Sequence, residues 1–202
     1  MLDPDIRQTL YPLLKPEPGT GRLLSEVGLW GNTVRIDVAR LTRASLDGFE
    51  IKSERDTLTR LAMQAEIYGL VFDTLTLVSA TRHLNKAIAT LPSWWGISEA
   101  IPALDGVSII AVRKATPNPV TSAERIAGLL WKDETVALLE EAGITKGLSK
   151  MRVGEAHAAL AKMLPLELLK EKVFSTMLAR KDWVDRRDPS FIGPMKVLSR
   201  TT

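Results

Sequence analysis

Two acids and a lysine near the start of the chain have the types and the spacing for metal-assisted hydrolysis. Glu50 and Lys52 are two residues apart in a segment typical of a β-strand, so their side chains project from the same face. Asp37 lies in the preceding strand-like segment, and a hairpin between the two segments would bring it beside Glu50. The sequence therefore predicts two carboxylates and one ammonium on one face of a sheet.

This set of groups suits the hydrolysis of a phosphodiester bond. Carboxylates held side by side repel each other unless a cation lies between them, and a bound divalent ion lowers the pKa of its water toward neutrality. The lysine can orient the attacking water or neutralise charge that develops on the phosphate. An Asp and a Glu balanced by a Lys on a solvated hairpin give the same pattern without function, so the three residues need further support.

Further polar residues converge on the same place. Glu26 belongs to the strand-like segment before Asp37 and is a candidate for an additional metal ligand. Gln64 and Tyr68 are one helical turn apart, so they share a face of the helix that follows the Lys52 strand. One sheet face and one helix face are therefore expected to meet at this cluster.

The elements that must position these residues follow from apolar periodicity and from breaker residues. The dipeptide Asp47-Gly48 predicts the hairpin turn. The predicted strands are Leu23–Leu29, Val34–Leu41, Gly48–Ser53, Thr74–Ala80, Gly96–Ile101 and Val107–Arg113, and the predicted helices are Asp3–Leu14, Asp56–Leu70, Arg82–Thr90, Ser122–Ala142, Arg152–Met163 and Leu166–Arg180.

Composition narrows the chemistry. The chain has no cysteine, and His83 and His157 are too far apart for a His-x-x-x-His pair, so a bound metal would need mainly carboxylate ligands. Such ligands favour Mg²⁺ or Mn²⁺ over zinc. No apolar run is long enough to span a membrane, and the acidic N-terminus does not resemble a signal peptide, so we expect a cytoplasmic protein.

The charge is unevenly distributed. From Lys150 to the end there are 11 Lys and Arg against 6 Asp and Glu, whereas the net charge of the whole chain is only +3. A basic segment of this kind suits contact with nucleic acid, and a solvated helical surface explains it equally well. The proline-rich stretch Ala115–Val120 predicts a boundary between an α/β domain, residues 1–116, and a helical basic C-terminal domain, residues 117–202.

The combined pattern resembles the PD-(D/E)XK nuclease superfamily. Asp37 and Glu50-Ile51-Lys52 match its motif, although Ile36 stands where the superfamily name has proline, and Gln64 with Tyr68 is similar to the Q-x-x-x-Y pair of the RecB-like branch. The stretches GFEIKSERDTLTRL, VFDTLTLV and WWGI also resemble a small bacterial and phage family of unknown function. The resemblance covers roughly residues 20–185.

The resemblance implies a restriction-endonuclease-like mixed β-sheet core flanked by helices, followed by an all-helical C-terminal region. It implies that Glu26, Asp37, Glu50 and the carbonyl of Ile51 bind Mg²⁺ or Mn²⁺ and that Lys52 assists the attacking water. Gln64 and Tyr68 would position the site or the phosphate. The expected function is metal-dependent hydrolysis of DNA. Two alternatives remain: a non-catalytic nucleic-acid-binding module, and a subunit active only within a larger complex, as a homo-oligomer or with a partner protein.

Several other residues are candidates for contact with DNA. Arg55 and Arg60 flank the start of the predicted second helix, and Lys181, Arg186 and Arg187 belong to the basic end of the chain. His83 is a candidate phosphate contact, although a histidine between a buried strand and a helix is more often a satisfied core residue. The pair Trp94 and Trp95 can stack on bases, but we favour a role in sealing a sheet edge.

Overall fold

A computed structural model describes residues 1–29 and 33–180. Within these residues the chain forms six strands and seven α-helices, with two short 3-10 turns at Thr81–His83 and Leu148–Lys150. The strands are β1 (Gly21–Leu29), β2 (Val34–Thr42), β3 (Leu46–Lys52), β4 (Thr74–Ala80), β5 (Gly96–Ala103) and β6 (Gly106–Arg113). The helices are α1 (Asp3–Leu14), α2 (Leu61–Gly69), α3 (Leu84–Thr90), α4 (Ala123–Ala127), α5 (Lys132–Glu141), α6 (Val153–Met163) and α7 (Leu166–Ala179).

The six strands form one mixed sheet whose spatial order equals the chain order, β1 to β6. The pairs β1–β2, β2–β3 and β5–β6 are antiparallel, and the pairs β3–β4 and β4–β5 are parallel. The α/β class predicted from the sequence is therefore confirmed, with a mixed sheet, flanking helices and helices at the C-terminal end. The finer assignment to an endonuclease-like fold stays a prediction.

Apolar side chains cover both faces of the sheet. Ile6, Leu10 and Tyr11 of α1 pack on one face with Val38 and Ile51. The opposite face carries the larger core, to which buried residues of all the helices α2 to α7 contribute. Strands in the middle of the sheet are therefore buried on both faces, as parallel strands usually are. Any polar side chain on β3 must consequently find its partners inside the protein.

The two strands β1 and β2 share an irregularity that shifts their buried face. Ile36 and Ala39 of β2 both belong to the larger core although they are three residues apart rather than two, and Leu24 and Val27 of β1 behave in the same way. Between Leu24 and Val27 lies Glu26, whose φ of 53° is in the left-handed region that side chains other than glycine rarely adopt. Two of the predicted site acids, Glu26 on β1 and Asp37 beside it on β2, thus lie at this irregularity, which affects both strands.

The predicted hairpin turn at Asp47-Gly48 is wrong, because both residues lie inside β3. The turn is earlier, where Thr42 accepts a hydrogen bond from the amide of Ser45 at 2.9 Å through its side chain. Gly48 lies in a crowded part of the sheet: a Cβ there would lie 2.5 Å from Cδ1 of Ile36 on β2 and 2.6 Å from Cδ2 of Leu75 on β4. The glycine therefore marks a close approach across the sheet rather than a reversal of the chain.

Two predicted helices differ from the observed ones. The helix expected from Asp56 begins only at Leu61, because the carboxylate of Asp56 accepts hydrogen bonds from the amide and hydroxyl of Ser53 in a turn. The helix expected over Ser122–Ala142 is divided into α4 and α5. The amide of Trp131 donates to the carboxylate of Glu134 at 2.8 Å, which starts a new helix after the short break.

The helices after β6 pack against the sheet through the larger hydrophobic core, which contains Leu139, Leu160 and Phe174 beside residues of β2 and β4. An ion pair of 2.7 Å between Lys170 and Asp73 also joins α7 to the residue before β4. The proposed division after residue 116 remains a prediction. In the part of the chain that the structure describes, no helix has the length and apolar character required to cross a bilayer.

Candidate active site

Glu50 and Lys52 form a buried ion pair at the end of β3. The ammonium of Lys52 donates to Oε1 of Glu50 at 2.6 Å. Lys52 is only 8% exposed and Glu50 only 2% exposed. Both side chains point toward the larger core, since the intervening Ile51 packs against α1 on the other face. The local spacing of Glu50 and Lys52 thus gives the shared face that the sequence predicts.

Helix α2 adds two polar side chains to this pair. Gln64 donates through Nε2 to Oε1 of Glu50 at 2.7 Å and to the hydroxyl of Tyr68 at 3.1 Å. The hydroxyl of Tyr68 in turn donates to the carbonyl of Arg35 on β2 at 2.6 Å. Tyr68 is fully buried, so this chain of bonds fixes Glu50 to both α2 and β2. Glu50, Lys52, Gln64 and Tyr68 are hereafter called the α2 side of the site.

Three buried oxygens on or near the α2 side have no hydrogen-bond partner within the described residues. They are Oε2 of Glu50, Oε1 of Gln64 and the hydroxyl of Ser79. Ser79 lies on β4 directly beside Lys52 in the strand register. Buried polar atoms in folded proteins are nearly always satisfied, so such a concentration suggests a place for a ligand or water. Ser79 was missed from the sequence, although a serine in the apolar segment Thr74–Ala80 was the available signal.

Asp37 lies where β2 and β3 separate. The register of the two strands ends at Val38 opposite Phe49, so Asp37 would come opposite Glu50 one step further along. Instead of a backbone pair, Oδ2 of Asp37 accepts a hydrogen bond of 2.7 Å from the amide of Ile51. The carboxylate therefore occupies the space between the two strands, next to the end of β3.

The electrostatics of the two acids are unfavourable. Burial, followed by the charge of Glu50, raises the pKa of Asp37 to about 7, against the opposing effects of the Ile51 amide, Arg7 and Lys52. Burial also raises the pKa of Glu50, although Lys52 counteracts it. Both carboxylates thus favour their protonated forms, Asp37 through burial and the nearby charge of Glu50, and Glu50 through burial. Perturbed pKa values of this kind are common at functional sites. A divalent cation between them would remove this conflict.

Arg7 of α1 belongs to the site, although nothing in the sequence around it indicates this. Its Nη2 donates to Oε1 of Glu26 at 2.9 Å and to Oδ1 of Asp37 at 3.1 Å, while Nη1 donates to the carbonyl of Asp37 at 2.9 Å. Its Nε pairs with Asp3 one helical turn earlier. Arg7 is 7% exposed, so a guanidinium is buried among three acids. We call Arg7, Glu26 and Asp37 the α1 side of the site.

The donor set can be tested for its fit to a metal ion. Among the residues that the structure describes, no three Asp, Glu or His side chains are grouped so that they could together hold an ion. Arg7 binds both Glu26 and Asp37, whereas Oε2 of Glu50 has no partner among the described residues. Asp37 and Glu50 are the two acids between which a cation would relieve the unfavourable charge, since the charge of Glu50 raises the pKa of Asp37. Oxygen ligands of this type fit Mg²⁺ or Mn²⁺, and such ions need only one or two carboxylates because they keep several waters.

The remaining predicted residues are placed differently. Arg55 and Arg60 are exposed near the start of α2. His83 is buried and donates through Nε2 to the carbonyl of Ser53 at 3.0 Å. This hydrogen bond links the turn after β4 to the loop after β3. Trp95 is fully buried and Trp94 partly so, with their rings 5.9 Å apart. Lys181, Arg186 and Arg187 lie outside the described residues.

Residues 17–187 match the protein family described as Bacteriophage P4 protein cII. The match covers most of the chain and the greater part of this site. The chain belongs to that family. The matched region includes Glu26, Asp37, Glu50 and Lys52 but not Arg7. The family assignment agrees with the resemblance to a bacterial and phage family, and it does not by itself assign an activity.

Among the members of the cII family, Protein cII of Enterobacteria phage P4 is 29% identical over 146 residues, which is 72% of this chain. This chain spans about half of that protein, 54% of its length. Among solved structures, a protein of unknown function from Silicibacter pomeroyi matches with a TM-score of 0.43 and 17% identity, over 72% of this chain and 97% of the other.

Proposed function

We propose that this member of the cII family is a nuclease of the PD-(D/E)XK type that requires Mg²⁺ or Mn²⁺ and acts on DNA. The observation that carries the proposal is the buried pair of Glu50 and Lys52, bound to Gln64 and Tyr68, with one oxygen of Glu50 unpartnered. A buried ion pair stabilises a fold little compared with apolar residues of similar size. An arrangement this costly is therefore better explained by a role in chemistry.

Asp37 and Glu50 are the residues that would hold the ion, with the carbonyl of Ile51 as a further oxygen. When bound, the ion supplies a polarised phosphate and a water of lowered pKa. Lys52 keeps an ammonium beside Glu50, where it can orient a water or oppose negative charge on the phosphate. Gln64 fixes the orientation of Glu50, and Tyr68 fixes Gln64, so both are positioning residues.

The order of the elements gives independent support. The chain runs α1, β1, β2, β3, α2, β4, with the first three strands antiparallel. This arrangement agrees with the mixed β-sheet core flanked by helices that the superfamily resemblance implies. The proposed fold is accordingly restriction-endonuclease-like, and the exposed Arg55 and Arg60 beside α2 are candidates for contact with the DNA backbone.

The proposal is tested by cleavage of linear, circular and branched DNA with Mg²⁺ or Mn²⁺. In Glu50→Gln, the new carbonyl can keep the bonds from Lys52 and Gln64 while the charge is lost. We expect this variant and Lys52→Ala to cleave at least about 100-fold more slowly, the scale of one preorganised electrostatic group. DNA binding should persist, because phosphate contacts elsewhere contribute most of the affinity. EDTA should abolish cleavage by the wild type.

Matched controls come from exposed residues nearby. Glu66→Gln on α2 and Lys86→Ala on α3 make the same chemical changes at exposed positions and should leave the rate unchanged. Equal cleavage by the wild type and by the Glu50 and Lys52 variants would assign the activity to another site and overturn the proposal.

A second candidate function is favoured by one observation. Arg7 already neutralises Glu26 and Asp37, so the acids of the α1 side are engaged within the chain. This suits a nucleic-acid-binding module without activity, or a subunit whose site is rearranged only in a larger complex. Failure of the wild type to cleave any of the DNA forms, with binding retained, would favour this candidate.

A further inference from the structure

Arg7 makes the contacts that a bridging cation would make. A single nitrogen, Nη2, lies 2.9 Å from a carboxylate oxygen of Glu26 and 3.1 Å from one of Asp37. The other two guanidinium nitrogens are bound to the carbonyl of Asp37 and to Asp3. All three nitrogens therefore have acceptors, and the planar guanidinium is fixed in one orientation. Because Ile6 and Leu10 on either side of it are buried against the sheet, α1 holds Arg7 in this position.

The charges of the site balance with one divalent ion. Four carboxylates, those of Asp3, Glu26, Asp37 and Glu50, surround two cations, Arg7 and Lys52. Their formal sum is two negative charges, which a single divalent ion neutralises. A second divalent ion would leave an excess of positive charge beside the guanidinium of Arg7, and like charges at such short range repel each other.

We infer that Arg7 stands in for a second metal ion: the site binds one divalent ion per chain, at Asp37 and Glu50, and the guanidinium occupies the position between Glu26 and Asp37. The inference rests on the metal site of the proposed function. It makes Arg7 a positioning residue for Asp37, and it changes the role of Glu26. The sequence suggests that Glu26 is a metal ligand, whereas here it holds Arg7 in place.

The backbone at Glu26 agrees with this role. Glu26 keeps a left-handed φ of 53°, a backbone conformation that residues other than glycine rarely adopt. The strained residue is the one whose carboxylate meets Arg7 at 2.9 Å. The kink therefore directs the Glu26 side chain toward α1, on the opposite face of the sheet from Gln64 and the α2 side.

The test is the number of Mn²⁺ ions bound per full-length chain, measured from the loss of the free Mn²⁺ signal in electron paramagnetic resonance. We expect one ion for the wild type and two for Arg7→Met, which keeps an apolar stem but removes the guanidinium from between Glu26 and Asp37. Arg7→Lys restores a cation and should bind one. Arg43→Met, which removes an exposed charge at the β2–β3 turn, should also bind one.

Two acids test the inference even where Arg7→Met fails to fold. Glu26→Gln should still bind one ion, because Glu26 is not a ligand in the wild type, whereas Asp37→Asn should lose it. Two ions on the wild type, one on a folded Arg7→Met, or loss of the ion from Glu26→Gln would each overturn the inference.

The result also separates this inference from the proposed function. One ion on both the wild type and folded Arg7→Met overturns the inference and leaves the proposed metal site standing. No bound ion on any variant overturns the ligand assignment and, with it, the role given to Arg7. One ion on the wild type and two on Arg7→Met, without DNA cleavage, supports the role of Arg7 while the nuclease proposal fails.

Discussion

Each of the two sides of the site places a cation beside acidic side chains, but the two cations come from different parts of the fold. On the α2 side, Lys52 neutralises Glu50 from two residues away, and Gln64 and Tyr68 are added by the next helix. On the α1 side, Arg7 reaches Asp37 across 30 residues of chain, at a kink in two strands. The pair of Glu50 and Lys52 is a product of local spacing, whereas the contacts of Arg7 depend on how helix α1 packs on the sheet.

This difference has an energetic counterpart. The side chains of Glu50 and Lys52 are 2% and 10% exposed, whereas those of Glu26 and Asp37 are 21% and 20% exposed. Water can therefore compensate for a lost partner on the α1 side more readily than on the α2 side.

The first prediction concerns the loss of a buried cation. Lys52→Met should lower the free energy of unfolding by about 3–5 kcal/mol above neutral pH, because it leaves the charge of Glu50 buried without its partner. Arg7→Met should cost clearly less, since the acids it leaves behind are partly solvated. Urea denaturation of the metal-free proteins measures both. The double variant Glu50→Gln/Lys52→Met should recover most of the loss, because no charge remains buried.

Equal costs for Lys52→Met and Arg7→Met would contradict the contrast between the two sides. So would a double variant as unstable as Lys52→Met alone, since the loss would then come from packing of the lysine stem rather than from charge. Lys86→Met, at an exposed position, provides the baseline for a lysine-to-methionine change.

The second prediction concerns pH. The raised pKa of Asp37, about 7 instead of 3.8, means that folding of the metal-free protein favours the protonated acid. The stability from this group is fully present below pH 3.8 and is lost as the pH rises through 7, about 2–4 kcal/mol in total. Urea midpoints with EDTA should therefore fall over this range, and Mg²⁺ at pH 8 should reverse the loss.

The charge of Glu50 contributes to that shift, so Glu50→Gln should show a shallower fall with pH than the wild type. Glu66→Gln, which is exposed, should follow the wild type. Parallel curves for the wild type and Glu50→Gln would mean that the two acids do not interact across the strands, and that burial alone perturbs Asp37.

The third prediction asks whether the α2 side faces DNA. Arg55→Ser/Arg60→Ser removes two exposed cations near the start of α2 and should reduce the slope of log affinity against log salt by about 2. Arg43→Ser/Lys86→Ser removes the same charge at other exposed positions and should change the slope little. Fluorescence anisotropy with a short duplex, titrated at several salt concentrations, measures both. Equal slopes for the two double variants would place the DNA elsewhere.

Much of the α2 side could be predicted from the sequence. Glu50 and Lys52 share a face because side chains alternate along a strand, and Gln64 and Tyr68 share a face because they are one helical turn apart. The strand Thr74–Ala80 and the helix Asp3–Leu14 were predicted with the observed bounds. Each of these inferences uses only local periodicity, which the sequence expresses directly.

The α1 side could not be predicted in the same way. Nothing local to Arg7 indicates that its guanidinium meets Glu26 and Asp37, because that contact depends on which face of the sheet α1 covers. The left-handed backbone at Glu26 was also unforeseen, since glycine or asparagine is the usual signal for it. Gly48 was misassigned to a turn because close packing and chain reversal select the same residue.

The strand order has a consequence for how the chain can fold. Since every ladder joins strands that are consecutive in the chain, the sheet can grow from neighbour to neighbour without closing a long loop. The long-range closures come from the helices, such as Thr9 on α1 to Val107 on β6 and Lys170 on α7 to Asp73. The α2 side forms along with the ladders between neighbouring strands, although its bond from Tyr68 to Arg35 closes 33 residues. Arg7 instead takes its position together with α1, and α1 also bonds to β6 at the far edge of the sheet.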